Sequence, residues 1–234
     1  MRIGVVDSGI GGITTLKAMM ARVGAEYYYY MDSASVPYGN KSRAELIKIS
    51  GRILDYFESI GTNIIVVACN TLSSSAGSFL RERSRVPVVC IEPSIKPCAN
   101  SGGRSLVIAT PRTISSPKFL RLIMQYGDMW CASSSTLASL IEQNDMLGAE
   151  IEVDRLLAPI AFDNVVLGCT HYVFMKRYIE NKGIAVYEGN DGVARRVASI
   201  VGENGLESNV HIRATGAIDK GRVENYLECP IHYC

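Results

Sequence analysis

The sequence has no surplus of charge. Its 234 residues carry 24 lysines and arginines against 23 aspartates and glutamates, a formal net charge of +1. Nucleic acid and anionic membranes find no electrostatic handle on such a chain, and neither is expected as a partner. No apolar run approaches the roughly 18 residues of a membrane span. The first residues, Met1-Arg2-Ile3-Gly4-Val5-Val6-Asp7, lack the longer apolar stretch and cleavage site of a signal peptide, so a cytoplasmic location is expected. No Cys-x-x-Cys pair occurs, and seven cysteines, an odd number, do not suggest a disulfide framework. Nucleotide fingerprints are missing too. In Asp7-Ser8-Gly9-Ile10-Gly11-Gly12, the pattern G-x-G-x-x-G would need glycine where Thr14 stands, and no P-loop lysine follows. No cofactor is expected. The tail Cys229-Pro230-Ile231-His232-Tyr233-Cys234 holds three residues of metal-ligand type but no second cluster to close a tetrahedron; it reads as a frayed end, with no metal. Cys90, Cys98 and Cys131 read as small buried fillers.

What is present is alternation. Short apolar runs at Arg2–Asp7, Tyr27–Asp32, Ile64–Cys69, Val86–Ile91, Ser105–Thr110, Asp128–Ala132, Asn164–Cys169 and Ala185–Glu188 read as parallel strands covered on both faces. Between them lie helical patterns, clearest in Ser42–Ile60, where Leu46, Ile49, Ile53, Leu54 and Phe57 share one face. Ser135–Gln143, Met175–Lys182 and Gly192–Val201 read likewise. The expected fold is α/β: two similar doubly wound, Rossmann-like parallel-sheet halves with the site in the cleft between them. Strand ends recur at a spacing of about one hundred residues: Asp7 with Thr110, Asp32 with Ser133, Cys69 with Cys169. The Pro- and Gly-rich stretch 93–103 is the natural crossover. Residues 1–93 with about 208–234 are expected to form one domain, to which Val210–Leu227 returns, and residues 94–207 the other.

Two segments carry the chemistry. Val66-Val67-Ala68-Cys69-Asn70-Thr71 and Val166-Leu167-Gly168-Cys169-Thr170-His171 each end an apolar run in a cysteine flanked by small polar residues. Ligands bind outside the carboxyl ends of strands in such sheets. Two thiols opposed across one carbon suit removal of a proton from one face and delivery to the other. A thiol acts as base only as thiolate, a state favoured by a helix N-terminus or a nearby cation. His171 stands two residues from Cys169, and Asp7 is an otherwise costly carboxylate at a sheet end. The glycines at 9, 11 and 12 read as a turn whose backbone N–H groups can bind a carboxylate, or as a plain left-handed turn. A thiol redox enzyme is disfavoured by the missing Cys-x-x-Cys, and a non-catalytic amino-acid-binding protein by the presence of both thiols.

Asp7-Ser8-Gly9-Ile10-Gly11-Gly12, Pro37-Tyr38-Gly39, Ala68-Cys69-Asn70-Thr71, Ile91-Glu92-Pro93 and Leu167-Gly168-Cys169-Thr170-His171-Tyr172 resemble, in order and over nearly the whole chain, the signature segments of the aspartate/glutamate racemase superfamily. The first two favour its glutamate racemase branch. The resemblance implies a cofactor-independent isomerase that makes D-glutamate for bacterial peptidoglycan, a homodimer with glutamate as its small-molecule partner. It implies that Cys69 exchanges the α-proton with the D enantiomer and Cys169 with the L enantiomer. Asp7 would assist Cys69; His171 and, behind it, Glu142 would assist Cys169. Asp7, Ser8, Pro37, Tyr38, Gly39, Cys69, Asn70, Thr71, Thr110, Cys169, Thr170 and His171 would line the substrate site. The approach to Glu142, Cys131-Ala132-Ser133-Ser134-Ser135-Thr136, departs from the family's Cys-Pro-rich pattern, and Val173 and Glu188-Gly189-Asn190 are further departures. A superfamily racemase acting on aspartate or a hydantoin is the nearest alternative.

Overall fold

In a computed structural model that describes residues 1–127, 129–205 and 207–234, the apolar runs become two wholly parallel sheets. The first half supplies β1 (Arg2–Asp7), β2 (Glu26–Met31), β3 (Ile64–Val67) and β4 (Val88–Cys90). The second supplies β5 (Ser105–Ala109), β6 (Met129–Ser133), β7 (Asn164–Gly168) and β8 (Ala185–Tyr187). The chain then returns to the first sheet with β9 (Asn209–Ala214) and β10 (Ile231–Tyr233). The sheet orders are β10-β9-β2-β1-β3-β4 and β6-β5-β7-β8. The second repeats the β2-β1-β3-β4 order of the first, so the repeat seen in the sequence is a repeat of topology.

Helices cover both faces: α1 (Ile13–Met20), α2 (Arg43–Ser59), α3 (Asn70–Arg83), α4 (Ile95–Ser101), α5 (Pro111–Ile114), α6 (Pro117–Tyr126), α7 (Leu137–Glu142), α8 (Met146–Leu157), α9 (Lys176–Glu180), α10 (Asn190–Val201) and α11 (Lys220–Leu227). The longest, α2, begins in a capping box between Ser42 and Glu45 and buries the apolar stripe read from its sequence, Leu46 to Phe57. The helical patterns of α1, α3, α6 and α8 escape the sequence reading.

Several expectations change. The strands are shorter than the apolar runs, so Cys69, Thr110 and Cys169 stand just beyond strand ends; Cys69 and Thr110 precede the first turns of α3 and α5. The first residue of the expected strand Asp128–Ala132 lies outside the described residues. The tail is not frayed: Ile231 and Tyr233 pair in register with Val210 and Ile212 and pack on the first core, while His232 stacks on His211 with ring centres 5.1 Å apart. Among the described residues no group of three or more His, Cys, Asp or Glu side chains is arranged to hold a metal. Cys98 is buried and Cys90 half-buried, but Cys131, on the outer strand β6, is exposed. Finally, α10 puts Val193, Ala194, Val197 and Ala198 into the first core, against α1. Its packing argues for a division between halves near Gly189, whereas the sequence pattern suggested one near 207. Among the described residues no helix is long and apolar enough to cross a membrane.

Close packing of helix on sheet sets one testable limit. A Cβ on Gly4, at the middle of β1, would lie 2.7 Å from a ring carbon of Phe57 on α2. Gly4→Ala is expected to destabilise the protein by about 1–3 kcal/mol through overpacking, read as a lower urea midpoint; an unchanged midpoint would show that α2 yields freely.

Candidate active site

The carboxyl ends of β1, β3, β5 and β7 bring the sequence-predicted residues into one buried cluster. Cys69 and Cys169 are both free thiols and both buried. Each stands just beyond the end of an apolar strand, where the chain turns to cross back over its sheet. Cys69 sits at the N-terminus of the fourteen-residue helix α3. Cys169 precedes the 3-10 turn 171–175.

Two buried carboxylates, Asp7 and Glu142, belong to the same cluster as the two thiols. Asp7 is fully buried at the end of β1. Its Oδ2 accepts hydrogen bonds from the backbone N–H of Gly12 and, at 3.2 Å, from the hydroxyl of Thr170 in the other half. Burial raises its carboxyl above the ordinary range, against the charge of His171 and the N–H of Ser8. Burial also pushes the Cys69 thiol well up, and the negative charge of Asp7 adds to this; the Leu72 N–H works the other way. On the opposite side, His171 Nδ1 lies 3.9 Å from Cys169 Sγ, and its Nε2 lies 2.6 Å from Glu142 Oε2. Burial disfavours the imidazolium, but hydrogen bonds to Cys169 and Glu142 outweigh it and raise His171 well above its usual value. Glu142 is itself lowered: burial raises it, and the bond and charge of His171, the Ile10 N–H and the charge of Arg222 together outweigh that. Despite the departure from the family pattern at 131–136, the Glu142 carboxylate lies within hydrogen-bond distance of His171.

The glycine-rich turn works differently from the sequence reading. Gly9, Gly11 and Gly12 are not among the residues with positive φ. Gly9 and Gly11 are small because the halves meet there, and Gly12 because Asp7 and Tyr29 of its own half stand against it. A Cβ on Gly11 would lie 2.6 Å from His171 Nδ1 and from Thr170 Oγ1, and one on Gly9 would strike the carboxylate of Glu142. The turn's N–H groups do bind carboxylates, but those of the protein: Ile10 N–H donates to Glu142 Oε2 at 3.0 Å, and Gly12 N–H to Asp7.

Around these groups the cluster is rich in neutral polar atoms. Thr71 from the first half meets Thr110 at 2.9 Å and Thr113 at 3.3 Å from the second. Gly39 packs against Thr110, where a Cβ would come within 2.8 Å of the threonine Cβ. Tyr38 is buried and donates to Asp32 Oδ2 at 2.8 Å. Ser8 and Asn70 are buried in the same strand ends, and Pro37 follows Val36 through a cis peptide bond just before Tyr38. Asp7 Oδ1 and Asn70 Oδ1 are buried acceptors with no hydrogen-bond partner among the described residues. Thr113 and Tyr29 were missed by the sequence reading. The Tyr29 hydroxyl holds the glycine turn through the Gly9 carbonyl at 2.7 Å. Its signal lay in the run Tyr27-Tyr28-Tyr29-Tyr30, where strand alternation turns Tyr27 and Tyr29 to the same, fully buried face.

Comparison with known proteins places the chain in a family. The sequence model of the Asp/Glu/Hydantoin racemase family matches residues 3–197. A glutamate racemase of Lachnospira eligens is 34% identical, with 88% of this chain and 84% of that protein covered. One of Halothermothrix orenii is 33% identical over 97% of this chain and 98% of its own length. Among solved structures, the glutamate racemase of Campylobacter jejuni subsp. jejuni superposes with a TM-score of 0.85 at 27% identity, covering 97% of this chain and 98% of that one.

The paired charges predict a pH response. A group whose folded pKa lies above its unfolded value of about 6.5 stabilises the fold fully below that value, and the contribution is lost as pH rises through the folded pKa. His171 is such a group. Glu142→Gln should lower the His171 pKa, followed by NMR titration of the imidazole, and weaken the loss of stability on the alkaline side. An unmoved titration would show that Glu142 does not hold the imidazolium.

Proposed function

Because the chain belongs to the Asp/Glu/Hydantoin racemase family, we propose that it interconverts L- and D-glutamate by proton transfer between two cysteines, without a cofactor. The observation that carries this reading is the pair of buried thiols at matching strand ends of the two halves, each backed by a carboxylate. Cys169 takes the α-proton of L-glutamate, with protonated His171 beside its sulfur as the cation that favours a thiolate. The electron pair stays on Cα, delocalised into the α-carboxylate. Cys69, the thiol that burial and Asp7 push up, returns a proton to the opposite face and gives D-glutamate. One proton has then moved from Cys69 to Cys169, and the reverse turnover starts from that state. The equilibrium offers no driving force, so catalysis is stabilisation of the charge growing on the α-carboxylate. The hydroxyls of Ser8, Thr71, Thr110 and Thr170 and the N–H groups of these strand ends are suited to that charge.

The two orphaned acceptors support an amino acid as substrate. A buried acceptor without a donor costs about 1–3 kcal/mol, and an α-ammonium group brings three donors to Asp7 Oδ1 and Asn70 Oδ1. In the same reading Tyr38 and Gly39, following Pro37, hold the far end of the substrate. Asp7 assists Cys69, and Glu142 orients His171. The product serves bacterial peptidoglycan synthesis in the cytoplasm, as the family resemblance implies. We also infer a homodimer. The second half exposes Leu120 and Met124 on α6, Trp130 on β6, and Leu147 and Ile151 on α8, the kind of surface a second copy covers.

Two tests bear on this. Cys69→Ala and Cys169→Ala should each abolish interconversion in both directions, followed by the circular dichroism of glutamate with chelator-dialysed protein and no pyridoxal phosphate. Near-normal racemisation by either variant would sink the two-thiol mechanism. Aspartate, one methylene shorter, leaves a donor at the distal carboxylate unpaired. Glutamate is therefore expected to be preferred in kcat/KM by roughly one to two orders of magnitude, the equivalent of about 1–3 kcal/mol. Faster turnover of aspartate would move the protein to the rival racemase reading.

A further inference from the structure

The Cys169 side of the site is held from behind by a residue that belongs to the other half. Helix α11 packs Val223 and Leu227 into the first core, yet its Arg222 reaches across to the second half. Arg222 Nη1 donates to the carbonyl of Ile141 at 2.6 Å and lies 3.4 Å from that of Glu142. These carbonyls close the C-terminal end of α7, where helix geometry leaves acceptors without intrahelical partners and where a cation is favoured. The guanidinium also lies over the ring of Phe174, 5.1 Å from its centre, in the turn that follows Cys169. Phe174 in turn packs against Tyr226 of α11, with ring centres 5.3 Å apart. The side chain of Glu142 starts from the end of this helix, and its carboxylate fixes His171 at 2.6 Å. The second hold on that carboxylate, the N–H of Ile10, comes from the first half as well.

We propose that Arg222 is a positioning residue: by capping the end of α7 across the junction between halves, it aims Glu142 at His171 and so sets the proton transfer on the Cys169 face alone. Nothing comparable is asked of it on the Cys69 face, whose carboxylate, Asp7, lies on β1 and is held by Gly12 and Thr170. The inference rests on the racemase reading and on the assignment of Cys169 to the L enantiomer. It separates a positioning role from a merely structural one, because loosening the junction in general would harm both faces.

The two faces can be read apart with the L and D forms of 3-chloroglutamate. When a thiolate removes the α-proton, the Cα–H electron pair forms a Cα–Cβ double bond and chloride leaves with its bonding pair. The released enamine reacts with water to give 2-oxoglutarate and ammonia, which are counted. In Arg222→Ala, elimination from the L form should fall about 10- to 100-fold, the cost of misplacing a catalytic group by an ångström or less. Elimination from the D form should change by less than about twofold. Arg222→Lys, which can still donate to Ile141, should recover most of the L-form rate. If Arg222→Ala does not fold, as judged by its thermal melt, Arg222→Gln is read in the same way, with a smaller loss confined to the L form. Equal losses on both forms, or none on the L form, overturn the proposal while wild-type racemisation of glutamate leaves the function intact. A wild-type protein inert toward glutamate and both chloro compounds overturns the function and this inference with it.

Discussion

The site depends on an exchange of hydrogen bonds between two buried carboxylates of opposite origin. Asp7 belongs to the first half and accepts from Thr170 of the second. Glu142 belongs to the second half and accepts from the Ile10 N–H of the first. A carboxylate taken out of water costs several kcal/mol unless donors replace its hydration. Each of these carboxylates finds part of its donors only across the cleft, so apposition of the halves and solvation of the catalytic carboxylates are one event. The acid–base partners proposed for the thiols are thus held in place only where the halves are together.

The same constraint explains the glycines. For Ile10 N–H to reach Glu142 and for Gly12 N–H to reach Asp7, the turn must lie against His171 and Thr170 with no side chain between. A Cβ at Gly9 or Gly11 would collide across the junction with Glu142, His171 or Thr170, and one at Gly12 would collide with Asp7 and Tyr29 of its own half. All three residues sit outside the left-handed region, so the glycine is required by the neighbour rather than by the backbone angle. A reading confined to local chain geometry could name a turn here. It could not name the reason at Gly9 and Gly11, because the colliding atoms there lie more than a hundred residues away.

Legibility in the sequence followed the same line. The parallel strands, the amphipathic α2 and the duplicated order were accessible, because a strand buried on both faces must be apolar whatever it packs against. The thiols, Asp7 and His171 stood out as polar groups ending apolar runs. What could not be read was anything decided by contact between distant segments. The tail Ile231–Tyr233 became a strand because β9 offered a free edge. Helix α10 joined the first core because its small apolar face fits α1. Thr113 entered the site through its neighbours Thr71 and Thr110. Glu142 is a middle case: family resemblance pointed to it, while its own surroundings in sequence did not, since its partner His171 comes twenty-nine residues later.

The duplicated fold supplies symmetry, and the chemistry needs that symmetry broken. Val6 lies beside Val67 in the first sheet and Ile108 beside Leu167 in the second, so Cys69 and Cys169, two residues further on, are equivalent. By the same register the residue after Val6, Asp7, corresponds to Ala109, rather than to Thr110 as the sequence spacing suggested. The carboxylate beside one thiol is a methyl group beside the other. The second half makes good the difference with a group of another kind, an imidazole backed by Glu142 from α7. One thiol is pushed up by burial next to a negative charge, and the other faces a positively charged ring. Two identical environments would hold the shared proton equally on both sides. Two unequal ones tell the two thiols apart, which the proposed transfer of a proton from one side to the other requires.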